Sequence, residues 1–430
     1  MPKPPQSKVP SGSAQRPRVP VRSHDDTDLV LTPGGLRPRS LVHQLETGQH
    51  VSVRGGRVQI IETATGEVVR DLGEAGKPGE GEAEPPSSAP SAVPALPGLP
   101  DLGWIENSQW HNGGAQPIVY FSTKWVVPPA PASSDNQTVY LFNGMQPDSA
   151  AHILQPVLQW GPSPAGGGNY WSITNWYADG QGGAAAYQAP IRVNPGDVLQ
   201  GVVACTGQSQ SGTEFNYTSS FVGYPAADVT ATDVDELTWA FETLECYGPY
   251  TPSTNKFAPL SQCSDYPNTG FTAMYDIEIK TGAPGTSGTD ATIDWTPVTS
   301  YQDCGQNCVI VSNNSPGGAV YLYYQQHVVR TTYYDPRVAP PQWSEWIALP
   351  GADKPFGSSL AAVSSVPGGV SLFAIGQDGV VRTTYYDPRV APLQWSEWIA
   401  LNADEPLGYS LAAVSSVPGG ISLFAIGQDR

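Results

Sequence analysis

From Ile118 onward the chain is written in short runs where apolar and polar positions alternate, each run cut by a turn. They include Ile118-Val-Tyr-Phe121, Trp125-Val-Val127, Val139-Tyr-Leu-Phe142, Ile153 to Trp160 and Trp171 to Tyr177. Ile191 to Val193, Val198 to Ala204, Thr238 to Leu244 and Phe271 to Ile279 continue the series. A period of two places neighbouring side chains on opposite faces of a strand. Turns such as Asn194-Pro-Gly-Asp197 recur at the spacing of a β-sandwich or jelly roll, so 103–281 is expected to be one such domain.

Ahead of it the pattern is weaker. Residues 1–38 are rich in Pro, Ser and Arg without a hydrophobic period, and are expected to be a disordered basic arm. Between 39 and 72, Val51-Ser-Val53 and Val58-Gln-Ile-Ile61 are broken by Gly55-Gly56 and Thr65-Gly66, which predicts a small β-segment and not a domain. Residues 73–102 read as a Pro/Gly/Glu linker, and Thr281 to Thr289 opens a second spacer, taken to 294.

Beyond the spacer the chain repeats itself. Val329 to Pro340 returns as Val381 to Pro392, Gln342 to Leu349 as Gln394 to Leu401, and Leu360 to Gly369 as Leu411 to Gly420. A period of about 51 to 52 residues holds roughly four short strands, the content of one propeller blade. Val309-Ile-Val311 and Pro316 to Tyr324 read as an older copy, so 295–430 is expected to form a partial β-propeller. Fewer than three blades cannot close a ring, which makes a homo-oligomer that completes it an expectation.

Composition agrees with an all-β chain. Gly 46, Pro 43, Trp 12 and Tyr 20 accompany only 14% charged residues. A net charge of -18 argues against nucleic-acid binding. No apolar run is long enough to span a bilayer, and Met1 to His24 lacks the apolar core of a signal peptide, so classical export is not expected. The five cysteines offer Cys246 with Cys263 and Cys304 with Cys308 as plausible pairs and show no metal-ligand spacing. The six histidines are scattered, and no phosphate loop, zinc motif or serine-nucleophile elbow occurs. Neither metal nor cofactor is expected.

The repeat text, with its Ala-Ala-Val-Ser-Ser-Val-Pro-Gly-Gly core and Trp-Ser-Glu-Trp close, resembles the propeller lectins of the Photorhabdus lectin type. The resemblance implies glycan binding, to fucose or related sugars, in pockets between blades. Aromatic faces stack on sugar C–H surfaces while a few polar groups hold the hydroxyls. The candidates are Trp343, Trp346, Trp395 and Trp398, flanked by Tyr333, Tyr334, Tyr385 and Tyr386, with Glu345, Glu397, Arg330 and Arg382 as polar partners. A tryptophan recurring in every blade serves as inter-blade core as readily as ligand platform.

The central domain has a second resemblance. Trp125-Val-Val-Pro128, Phe142-Asn-Gly144, Ile153-Leu-Gln155, Trp176-Tyr177, Val193 to Asp197 and Trp239-Ala-Phe-Glu242 fall in the order seen in glutamic peptidases, the eqolisin family. That resemblance implies a concanavalin-like jelly roll with a Gln/Glu dyad: a carboxylate to activate water and an amide to steady the oxyanion. Gln155 stands at the glutamine position. With Trp239 aligned to the family tryptophan, the glutamate position falls on Thr238, and Glu242 lies further along on the same face; Gln159, Glu236 and Glu245 are fallbacks under a shifted register. The chain is thus expected to be a modular lectin, the alternative being an acid-acting glutamic endopeptidase using Gln155 and Glu242.

Overall fold

The computed structural model describes residues 29–76 and 103–427, apart from 210, 249, 252–255, 258–259, 261, 303, 325–329, 332–333, 336–341, 344–346, 350–355, 377–379, 388, 390–394, 403–406 and 416. Strands dominate, with a few 3-10 turns, and among the described residues no helix is long and apolar enough to cross a membrane.

The first strands are β1 (Leu29–Thr32) and β2 (Gly35–Pro38), a hairpin, then β3 (Val42–Gln44), β4 (Gln49–Arg54), β5 (Arg57–Glu62) and β6 (Val68–Glu74). Next come β7 (Trp104–His111), β8 (Ile118–Val126), β9 (Thr138–Gln146), β10 (His152–Ser163), β11 (Gly166–Asp179), β12 (Ala185–Tyr187) and β13 (Ile191–Arg192). They continue as β14 (Val198–Gln208), β15 (Phe215–Phe221), β16 (Val229–Val234), β17 (Trp239–Tyr247), β18 (Tyr250–Thr251), β19 (Lys256–Phe257) and β20 (Phe271–Thr281). After them lie β21 (Thr289–Asp290), β22 (Thr296–Thr299), β23 (Asn307–Ser312) and β24 (Gly318–Tyr323).

Two sheets result. A nine-stranded sheet runs β22-β7-β17-β9-β10-β11-β12-β3 with β13 on β11, and an eleven-stranded sheet runs β23-β24-β20-β8-β14-β15-β16-β4-β5-β6 with β21 on β20. They pack face to face because the alternation of each long strand supplies one apolar row to a shared interior. Trp125, Trp171, Tyr177, Phe121 and Phe221 are fully buried there. The β-sandwich expected for the centre is present, with wider limits than 103–281.

At the N-terminal side, 39–72 is no separate segment: β3 pairs in parallel with β12, and β4 in parallel with β16, so the stretch extends both sheets. The expectation of disorder up to residue 38 fails over 29–38, where Val30 and Leu36 find buried seats on the sandwich; residues 1–28 and most of the linker lie outside the described residues. At the other end, 295–324 belongs to the sandwich and not to a blade. β22 pairs with β7, and β24, the supposed older repeat, pairs with β20 through Phe271↔Tyr323 and Met274↔Val320. A disulfide joins Cys263 to Cys304 across 41 residues, so neither pairing expected from sequence proximity, Cys246 with Cys263 or Cys304 with Cys308, is formed.

In the repeats, β25 (Arg330–Thr331), β26 (Tyr334–Asp335), β27 (Gln342–Trp343) and β28 (Ile347–Ala348) form two short ladders. A four-stranded antiparallel meander follows: β29 (Phe356–Val363), β30 (Val370–Gly376), β31 (Val381–Tyr386) and β32 (Ile399–Asn402). Then β33 (Leu407–Val414) pairs with β34 (Ser422–Gly427). Equivalent positions pair alike where both copies are described, Thr331↔Ile347 as Thr383↔Ile399 and Tyr334↔Trp343 beside the contact of Tyr386 with Trp395. One meander matches one repeat, but no closed propeller is formed among the described residues.

Candidate functional site

The nine-stranded sheet has two faces with different chemistry. Residues paired across a ladder project from the same face. One row therefore runs Glu245–Tyr140–Gln159–Ser172, the next same-face row Thr243–Phe142–Val157–Thr174. The register that pairs Leu154 with Met145 and Val157 with Phe142 sets Gln155 opposite Gly144, giving a third row Phe241–Gly144–Gln155–Trp176. All three rows lie on the face turned away from the eleven-stranded sheet.

Glu242 projects the other way. It is completely buried between the sheets, where Thr123 of β8 donates a hydrogen bond to its Oε1. Asn143 and Asn175 on that same inner face donate to Gly201 O of the opposing sheet and to Ala227 O in the turn between its strands β15 and β16, which confirms the orientation. Burial holds the Glu242 carboxyl well above the usual carboxylate range, offset in part by Thr123. The Gln155/Glu242 pairing is thus corrected: the two residues occupy opposite faces, because their strand parities are opposite.

On the outer face Gln155 is 1% exposed, and among the described residues neither amide atom has a hydrogen-bond partner. Its Cβ would lie 3.3 Å from a methyl at Gly144, so the glycine leaves open the gap between Gln155 and Phe241. The position from which a side chain would face Gln155 across that gap is occupied by Phe241 and not by a carboxylate. Thr238 sits at the rim, donating to Asp148 Oδ1 at 2.7 Å, where His111 Nε2 and Trp239 Nε1 also meet that oxygen at 2.9 and 3.0 Å.

The carboxyl that the outer face does hold is Glu245, one of the fallback residues. It is fully buried; its Oε1 accepts the Gly34 peptide N–H at 2.8 Å and the Tyr247 hydroxyl. Burial lifts its pKa to about 7, against the lowering effect of the Tyr247 and Gly34 hydrogen bonds and the Arg37 charge. Tyr140 stands beside it in the same row, and Trp104, Phe142 and Phe241 form an edge-to-face run at 5.9 and 5.3 Å. Gln159 shares that row, but its amide is engaged by Gly161 O at 2.7 Å and Gly166 O at 3.1 Å. Glu236, the remaining fallback, precedes β17 and is part-exposed.

What covers this face is the β1–β2 hairpin, with Leu31 packed on the Tyr140, Trp176 and Tyr187 cluster. The signal for it was present in the text as Leu29-Val-Leu-Thr-Pro-Gly-Gly-Leu36, apolar residues flanking a Pro-Gly-Gly turn.

In the repeats, Trp398 is 9% exposed and packs with Leu349, Leu372 and Ala374, so it is core and not a ligand platform. Trp395 is half-buried, with its ring 6.0 Å from that of Tyr386; Glu397 is exposed, and half-buried Arg382 reaches Val380 O at 3.5 Å. Tyr333, Glu345 and Trp346 lie outside the described residues, while Trp343, Tyr334 and Arg330 are placed only by their strands. Among the described residues no cluster of His, Cys, Asp and Glu is suited to a metal ion.

No family model matches the chain, and no curated protein matches it. Among solved structures it is similar to Scytalido-glutamic peptidase with a peptide-based transition state analog, at 16% identity over 52% of this chain and 99% of that one, with a TM-score of 0.32. A second structure of that peptidase, with a transition state analog inhibitor, gives 16% identity over 53% and 100%, with a TM-score of 0.33. At such scores the likeness fixes neither activity nor site.

Proposed function

We propose that the chain is an endopeptidase of the glutamic type that takes extended polypeptide on the outer face of its nine-stranded sheet, with Glu245 as the proton-transferring carboxyl. The observation that carries this reading is the hydrogen bond from the Gly34 peptide N–H to a buried carboxyl held at about pKa 7. A main-chain N–H donating to that carboxyl shows that this face seats polypeptide backbone directly against a proton carrier tuned near neutrality. In hydrolysis Glu245, ionised, takes a proton from water as the water oxygen bonds to the scissile carbonyl carbon. The same proton passes to the amide nitrogen as the C–N bond breaks. The Tyr140 hydroxyl, in the same row, serves the oxyanion, and the unpaired Gln155 amide holds substrate backbone further along.

The test is cleavage of casein and fluorogenic peptides between about pH 4 and pH 9, which spans both protonation states of Glu245, using the full chain and a Leu31→Ser form with a loosened hairpin. Glu245→Gln should lower the rate by about 10²- to 10⁴-fold. Absence of cleavage across that range, or cleavage indifferent to Glu245→Gln, overturns the reading.

A second reading concerns the repeats. The half-buried Tyr386–Trp395 pair beside exposed Glu397 supports a glycan platform, for fucose or a related sugar, as the lectin-like text implies.

A further inference from the structure

The hairpin is held in the manner of a ligand. β1 and β2 pair with each other and, among the described strands, with neither sheet. Besides its apolar side chains, two polar anchors fix it: the Gly34 amide on Glu245, and Arg37.

Arg37 is 2% exposed, yet its guanidinium ends among main-chain oxygens of another part of the chain. Its Nη1 donates to Asp179 O at 2.6 Å, Gly183 O at 2.8 Å and Ala184 O at 3.4 Å, while Nε donates to Thr32 Oγ1 within the hairpin at 2.9 Å. Those oxygens belong to the loop between β11 and β12, Asp179-Gly-Gln-Gly-Gly-Ala184. Its glycines are required for the shape: Gly182 has φ +76°, and a Cβ at Gly183 would strike the Asp179 carboxylate at 2.5 Å. The loop thereby turns three carbonyls inward around one guanidinium nitrogen, Nη1, and supplies fixed acceptors to a buried cation.

We propose that the Asp179–Ala184 loop is an arginine pocket of the outer-face site. The polypeptide taken there from outside carries an arginine three residues beyond the amide that meets Glu245, as Arg37 follows Gly34. This rests on the outer face being a polypeptide site; it adds which side chain that site selects.

The test uses the full chain with Arg37→Ala, probed with a fluorescent peptide of the sequence Leu29–Pro38 and with the same peptide bearing Ala at the arginine position. Hydrogen exchange of residues 29–38 is followed in parallel. The variant is expected to exchange these amides faster than wild type. The arginine peptide should bind it at least about tenfold more tightly than the alanine peptide, the scale of a buried charged hydrogen-bond set. Equal binding of the two peptides overturns the pocket and leaves the polypeptide site standing. A hairpin that stays protected in the variant overturns the pocket as well. A released hairpin with neither peptide bound removes the polypeptide site itself and the pocket with it. Arg37→Lys, which keeps stem and charge, takes the same assays if the alanine form does not fold.

Discussion

The sandwich and the repeats each contain two residues of one type, three positions apart, with opposite fates. Glu242 and Glu245 share β17, yet one meets Thr123 between the sheets and the other meets a peptide amide under the hairpin. Trp395 and Trp398 lie ahead of β32, yet one stays half-buried against Tyr386 and the other joins the core with Leu349 and Leu372. In β17 an odd spacing along the strand changes the face, and the face decides the chemistry; ahead of β32 the same spacing separates a half-buried ring from a buried one. Residue type and local motif are the same for both members of each pair, so neither can distinguish site from scaffold.

The largest effect should come from the repeats. Trp398→Ala removes a large ring from a packed cluster and should destabilise that region by about 3–5 kcal/mol, seen as an earlier unfolding step in calorimetry. Trp395 is half-buried at the edge of the same cluster, so Trp395→Ala should shift that step less, by about 1–2 kcal/mol. On a glycan array Trp395→Ala should lose any signal that wild type gives. If the two variants unfold alike and lose sugar alike, the distinction between core and platform is wrong in this region.

Much of the strand content was legible, because alternation such as Ile118-Val-Tyr-Phe121 is local. The pairing of strands distant in sequence was not. Whether Gln155 and Glu242 share a face depends on the register of β10, β9 and β17 together, and no single strand records it. The text Pro316 to Tyr324 resembles the repeats, yet β24 goes to β20, since an apolar run with a Pro-Gly-Gly turn suits either sheet. The β1–β2 hairpin was obscured by the Pro- and Arg-rich text ahead of it. The cysteine pairing followed the fold, which brings Cys263 to Cys304, and not the shortest spacing.

The second effect is the share of the pH dependence that Glu245 contributes. Its folded pKa of about 7 exceeds the ordinary 4.5, so the folded state holds the proton more tightly than the unfolded chain. The stability this contributes is fully present below about pH 4.5 and is lost as pH rises through 7, roughly 3 kcal/mol in all. His152 works in the opposite sense: burial lowers its pKa to about 4, so its contribution is present above 6.5 and lost as pH falls. Subtracting Glu245→Gln from wild type cancels the histidine, and also Asp179, whose pKa burial lifts to about 6 in the same sense as Glu245. The variant should therefore gain about 3 kcal/mol relative to wild type between pH 4.5 and pH 8, measured by urea unfolding. A difference that does not change with pH would mean that the carboxyl is not held in its neutral form by the fold.

The smallest effect should come from Glu242, and its smallness is the point. With its pKa raised well above the usual range by burial, Glu242 is a neutral acid in the folded chain at pH 5, so glutamine replaces it nearly atom for atom. Glutamine's carbonyl still accepts the Thr123 hydroxyl, and the cost is confined to fitting its amide hydrogens, within about 1 kcal/mol at pH 5. Peptide cleavage by Glu242→Gln should stay at the wild-type rate, because nothing on the inner face reaches substrate. Destabilisation of several kcal/mol at pH 5 would mean that Glu242 is ionised there. Lost cleavage in a folded Glu242→Gln chain would place the working carboxyl on the inner face and cancel the contrast with Glu245.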